Sequence, residues 1–194
     1  MSVIERLLRR DDGAALTIGG LVIEPMQRRD LRRGVMAIEA VSYPRPWSSG
    51  VFESELGQVR SGARRYLVAR RADRHGKHVV GYAGLWFSGD EAHVTNVAVD
   101  PDQQRRGVAT ALLVALAEAS IERGCSAWTL EVRVSSVGAQ ELYRRFGFNP
   151  AGVRARYYEN TEDAIVMWCN DIQGDDYRAL IGSIRAETER RWAS

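Results

Sequence analysis

A chain of 194 residues with 45% hydrophobic and 27% charged content can bury one core and still carry terminal extensions. Its net charge of +2, without a basic tract interleaved with aromatics, does not indicate direct nucleic-acid binding, and no apolar run approaches the ~20 residues that span a bilayer. The basic N-terminus lacks a continuous apolar segment and a small-residue cleavage site, so no secretory signal is expected and the expected location is cytoplasmic.

In chain order, residues 1–20 read as an extension in which Val3, Ile4, Leu7 and Leu8 line one face of a short helix. Leu21-Val22-Ile23 is the first expected strand. Asp30 is placed to cap a helix carrying Val35, Met36 and Ile38 that ends before Pro44, and Ser48 or Ser49 to cap a second helix through Phe52 and Leu56. Arg65–Ala69 and Val79–Trp86 read as paired strands about a polar turn at Asp73–Lys77. A β-branched strand, Val94–Val99, closes at Asp100-Pro101. A long amphipathic helix to about Arg123 follows, with Leu112, Leu113, Leu116 and Ala119 on one face. Strand Ala127–Val132, a helix from Val137 to Phe146 stopped by Gly147, and a hairpin of strands near Arg154–Tyr158 and Ala164–Trp168 complete a domain over residues 21–169. Tyr177, Leu180, Ile181 and Ile184 then predict a helical extension over 170–194, which either packs on the domain or serves as a partner surface. The alternation of elements is that of an α/β (α+β) domain. Cys125 and Cys169 suggest neither a disulfide framework nor a metal site, and His75, His78 and His93 form no ligand constellation, so no metal is expected.

The segment Gln104-Arg105-Arg106-Gly107-Val108-Ala109 stands between a strand and a helix N-terminus. Arginines there are unfavourable against the helix dipole unless an anion joins them. Free backbone N–H groups, a glycine permitting close approach and added positive charge describe a phosphate cradle; the alternative is a surface loop with a chance Arg-Arg-Gly. The segment has no Gly-Lys-Ser/Thr ending and no Gly-x-Gly-x-x-Gly accompanies it, so it is not a nucleotide-hydrolysing P-loop.

These residues resemble the Gln/Arg-x-x-Gly-x-Gly/Ala pyrophosphate loop of the GNAT superfamily of N-acetyltransferases. Trp128–Arg133 and Glu141–Phe148 are similar to its later landmarks. Glu131-Val132-Arg133, Leu142-Tyr143, Tyr157-Tyr158, Glu162–Met167 and the Pro46-Trp47-Ser48 turn resemble the RimI type, the ribosomal-protein-alanine N-acetyltransferases. The match runs from about Leu21 to Trp168. The resemblance implies a GNAT fold: a mixed, mostly antiparallel sheet of about seven strands, splayed at the coenzyme site and flanked by about four helices. It implies acetyl-CoA as cosubstrate, with the pantetheine arm along the backbone of Val97, Ala98 and Val99. Gln104 would start the turn, and the pyrophosphate would meet the backbone of Arg105, Arg106, Gly107, Val108, Ala109 and Thr110. Ser136 stands where relatives usually carry asparagine, which shortens the reach of any coenzyme contact there.

The implied chemistry is attack of an amine on a thioester by direct transfer in a ternary complex. An α-amine with a pKa of about 7.7–8.0 needs a base, and the leaving thiolate an acid. Glu131 matches the family's base, with its pKa expected to be raised by burial, and Tyr143 matches the acid. The structural alternatives are pairing of Glu131 with Arg133 and plain core packing of Tyr143 with Leu142 and Phe146. The implied acceptor is a protein N-terminus, that of the eighteenth small-subunit ribosomal protein, with Trp47, Tyr157, Tyr158 and Asn96 on the acceptor side; hairpin packing explains the tyrosines equally well. A lysine or small-amine acetyltransferase, and a non-catalytic acyl-coenzyme-A-binding or ribosome-docking module, remain open. The sequence does not fix the oligomeric state.

Overall fold

Strand β2 (Leu21–Pro25) buries Leu21 and Ile23 and leaves Val22 half-buried, the period of two expected of a strand with one face on a core. The computed structural model describes residues 15–74 and 76–193; the helix expected at Val3–Leu8 lies outside them. β2 pairs antiparallel with β1 (Leu16–Ile18) and with β3 (Arg64–Asp73), and β3 with β4 (Gly76–Ser88). β4 pairs with β5 (Glu91–Val99), whose parallel neighbour is β6 (Ala127–Arg133). β8 (Glu162–Cys169) joins β6 to the edge strand β7 (Asn149–Tyr158). The eight-stranded order is β1-β2-β3-β4-β5-β6-β8-β7, antiparallel except at β5/β6. It exceeds the expected seven by β1, so the sheet begins before residue 21.

Helix α1 runs through Arg28–Asp30, a stretch Leu31–Val35 that is kinked at Gly34, and Met36–Ser42. The stretch holds Gly34 at φ 150°, where a Cβ would sit 2.9 Å from the Val79 side chain; close contact with β4 sets the irregularity. Asp30 is not the N-cap. Gln27 is, and Asp30 sits inside the first turn, accepting from the Gln27 amide at 2.9 Å while its other oxygen pairs with Arg70 at 2.7 Å. Ser48 caps α2 (Ser49–Gly57), accepting from Val51 N. The remaining helices are α3 (Val108–Glu122), α4 (Val137–Arg145) and α5 (Asp175–Ala193).

The sheet carries a core on each face. Leu31, Val35, Ile38 and Phe52 of α1 and α2 pack with Tyr66, Val68 and Tyr82; Leu67, Ala69, Leu85 and Trp128 pack with α3. α3 is not amphipathic as expected, because Val108, Ala111 through Ala117, Ala119, Ser120 and Ile121 are all buried. The reason is α5, whose Tyr177, Ile181 and Ile184 join the same core and whose Arg185 pairs with Glu118 at 2.9 Å, so α3 is covered on both sides. Among the described residues no helix is long and apolar enough to cross a membrane.

Candidate active site

The site begins with a parting of strands. β5 and β6 pair only from Glu91/Ala127 to Val94/Leu130; beyond that point Thr95–Val99 and Glu131–Arg133 diverge. The cause lies on the opposite edge of β5. Its register against β4 passes from Val94↔Leu85 to Asn96↔Gly84, leaving Thr95 as the extra residue of a β-bulge. A bulge bends and twists its strand. Gly84 makes room for it: a Cβ there would overlap the Tyr66 ring and lie 2.6 Å from Thr95 Oγ1.

The gap opens into a cleft of about 650 Å³. Glu131, Tyr143, Asn96, Val97, Ala98, Val99, Gln104, Ser136, Trp47, Tyr157 and Tyr158 all line it. Arg105 through Thr110 do not; they continue from Gln104 toward α3.

Glu131 is nearly buried, its side chain 7% exposed, and pairs with His93 Nε2 at 3.0 Å and Arg154 Nη2 at 3.2 Å. Its pKa is lowered, against the expectation that burial would raise it. The hydrogen bond from His93 and the charges of His93 and Arg154 together outweigh desolvation. Nor does it pair with Arg133, which is held by Glu159 at 2.8 Å and Glu162 at 2.9 Å, with its guanidinium over the Tyr158 ring. The Tyr158 hydroxyl donates to the Glu131 carbonyl at 3.0 Å, fixing the strand end that carries the carboxylate.

Tyr143 packs edge-on against Phe148 with ring centroids 5.9 Å apart, and burial pushes its phenol up to about 12, so it carries its proton at neutral pH. Tyr43 donates to the Val97 carbonyl at 3.0 Å. Asn96 accepts from Thr95 Oγ1 at 3.2 Å, while its buried Nδ2 has no partner among the described residues. The Trp47 amide donates to buried Glu39 at 2.7 Å and the Trp47 ring packs on Phe52, so this wall of the cleft is held by the α1 core. Ser136 is the N-cap of α4 but its hydroxyl caps no amide.

At the cleft's end, Pro101–Gln103 forms a 3₁₀ turn, Gln104 resumes extended backbone, and Arg105 (φ 61°) and Gly107 (φ 87°) are left-handed. Ala111 N is bonded to Gly107 O at 2.9 Å, so the N–H groups of Val108, Ala109 and Thr110 precede the first intrahelical bond. Val108 itself is buried at the start of α3.

The model of the acetyltransferase (GNAT) family matches residues 32–148. The [ribosomal protein bS18]-alanine N-acetyltransferase of Escherichia coli K12 is 40% identical over 133 residues, 67% of this chain and 84% of that protein. The chain belongs to the GNAT acetyltransferases, and within them to the RimI type. That of Haemophilus ducreyi is 33% identical over 150 residues, 75% of this chain and 97% of that one. The crystal structure of the ribosomal-protein-S18-alanine N-acetyltransferase from Escherichia coli superposes with a TM-score of 0.67 at 33% identity, covering 78% of this chain and 94% of that one. The NatC complex bound to Gag peptide and CoA, at 19% identity and a TM-score of 0.68, shares the fold.

GNAT acetyltransferases take their acyl group from acetyl-CoA, and the residues present fit it. The edge of β5 beyond Val94 is unpaired by β6, and it leads into a helix N-terminus entered through left-handed Gly107. Among the described residues no cluster of three His, Cys, Asp or Glu could hold a metal. Sequence reasoning missed His93, Arg154 and Tyr43. His93 stands one residue before the strand expected at Val94–Val99, and its partner Glu131 follows from the parallel register of His93 with Thr129, which no sequence pattern states.

Proposed function

We propose that this RimI-type acetyltransferase moves the acetyl group of acetyl-CoA to the α-amine of a protein N-terminus, that of ribosomal protein bS18 beginning with alanine. The observation that carries this is the convergence of an ionised Glu131 and a protonated Tyr143 on one cleft at the strand parting, together with relatives that bear that name. Acetyl-CoA supplies a thioester: the amine nitrogen bonds to its acyl carbon, the carbon–sulfur bond breaks, and the thiolate leaves.

Glu131 takes the proton lost by the amine, directly or through one water. A depressed pKa makes it a weak base, but it also guarantees the ionised form at neutral pH and a negative charge beside the developing ammonium. His93 and Arg154 hold that carboxylate in place. Tyr143, whose phenol stays protonated, delivers a proton to the leaving sulfur. Asn96 offers its free Nδ2 to a carbonyl of the acceptor peptide, and Trp47, Tyr157 and Tyr158 wall the acceptor side. Val97–Val99, Gln104, the 105–110 backbone and Ser136 take the coenzyme. Positioning amine against thioester provides the largest part of the rate.

The test is acetyl transfer to matched peptides with free alanine, free methionine and blocked N-termini, each carrying an internal lysine, with mass mapping of the modified nitrogen. Label confined to the free alanine α-amine is expected. Label on lysine replaces the named acceptor, and coenzyme binding without transfer refutes the catalytic assignment.

A further inference from the structure

The loop proposed to hold the coenzyme pyrophosphate is backed by the far end of α5, an element beyond the residues 32–148 matched by the GNAT family model. Three contacts meet there. Arg191 Nη2 donates to the Arg105 carbonyl at 2.8 Å. Trp192 Nε1 and Thr188 Cγ2 lie 3.3 and 3.7 Å from the position a Gly107 Cβ would take. The Arg71 guanidinium sits 5.2 Å from the Trp192 ring centroid while its Nη1 donates to Gln103 Oε1 at 2.9 Å, tying the start of the loop to the same tryptophan.

The loop needs such support. Arg105 adopts φ 61°, a conformation that costs a non-glycine residue roughly 1–2 kcal/mol, and Gly107 two residues on is left-handed as well. A phosphate cradle works only if its N–H groups already point at the anion, because ordering them on binding subtracts from affinity. α5 is itself firmly seated. Tyr177, Ile181 and Ile184 are buried, and Arg185–Glu118 and Arg145–Glu187 fasten it to α3 and α4.

We propose that the last turns of α5 are a brace for the coenzyme loop, with Arg191 and Trp192 as positioning residues that preorganise Gln103 to Gly107 for acetyl-CoA. The inference rests on the reading of that loop as the pyrophosphate site and is independent of the acceptor's identity. Neither side chain lines the cleft, so the brace acts on coenzyme affinity and leaves the chemistry alone.

The experiment is calorimetric binding of coenzyme A to the full-length protein, with steady-state kinetics, for wild type, Arg191→Ala, Arg191→Lys and Trp192→Ala. Weakening by about five- to tenfold in Kd and in KM for acetyl-CoA is expected for the two alanine variants, with kcat at saturating acetyl-CoA and KM for the acceptor within about twofold of wild type and partial recovery in Arg191→Lys. Should Trp192→Ala not fold, Arg191→Ala, which removes the exposed hydrogen bond to the Arg105 carbonyl, decides the matter alone. Variants that bind coenzyme A as tightly as wild type, whatever their melting temperature, overturn the brace. So does a fall in kcat with affinity unchanged. A wild-type protein that does not bind coenzyme A overturns the reading of the loop and the brace with it.

Discussion

Gly84→Ala should damage the fold and the acceptor side of the cleft together, because Gly84 is where the β-bulge is accommodated. An added Cβ would overlap the Tyr66 ring and come within 2.6 Å of Thr95 Oγ1 and 2.8 Å of Asn96 Oδ1. Tyr66 has nowhere to go. It is 2% exposed, its ring meets Phe52 at 6.5 Å, and its hydroxyl is held by Glu55 at 2.8 Å. Overpacking of this kind costs about 1–3 kcal/mol, and loss of a hydroxyl–carboxylate bond adds about 1.5–3 kcal/mol if the ring must turn out. At about 2–4 °C per kcal/mol for a chain of this size, a total of about 2.5–6 kcal/mol lowers Tm by roughly 5–24 °C. Thermal unfolding followed by circular dichroism reads that term. Peptide kinetics read the other: displacement of Asn96 and Thr95 should raise KM for the acceptor peptide by more than it weakens coenzyme A. A variant that melts within about 1 °C of wild type and keeps its peptide KM would refute the steric account of the bulge.

Tyr143→Phe should lower kcat by about 100-fold while coenzyme binding persists; full turnover would remove the acid assignment. His93→Ala takes away the hydrogen bond and charge that favour the ionised form of Glu131, so the carboxylate's depressed pKa rises toward the ordinary range. The acid limb of kcat/KM that reports Glu131 should then move to higher pH, and a shift to lower pH would contradict the pairing. Glu162 is held down at about 2 by the Ser135 hydroxyl and amide and by Arg133. Its stabilisation is present above the unfolded carboxylate pKa of about 4.3 and is lost as pH falls through about 2, so Glu162→Gln should flatten Tm between those limits and lower it at neutral pH. An unchanged Tm–pH curve would show the Arg133–Glu162 pair to be idle.

What could be read from the sequence was what a single segment encodes. The β-branched run Val94–Val99, the long apolar helix α3, Gly147 at φ 85° after α4 and left-handed Gly107 at the entry to α3 each declare themselves locally, and the structure puts each element where the pattern does. Local signals fail when a neighbour distant in sequence decides the outcome. β1 is three residues long and exists through its pairing with β2, so no periodicity announces it. α3 reads as one-faced because the second apolar face needs α5 to be buried. Asp30 has the chemistry of a cap, but the capping residue is Gln27, and Arg70 arriving from β3 explains why an aspartate is buried there at all. Glu131 shows the same limit most sharply. Its position on a half-buried strand argues for a raised pKa so long as only desolvation is counted; His93 from β5 and Arg154 from β7 reverse the sign. The residue type told where a proton could be taken up. How readily it is taken up is a property of three strands meeting, β6 with Glu131, β5 with His93 and β7 with Arg154, and no single segment of the chain encodes that.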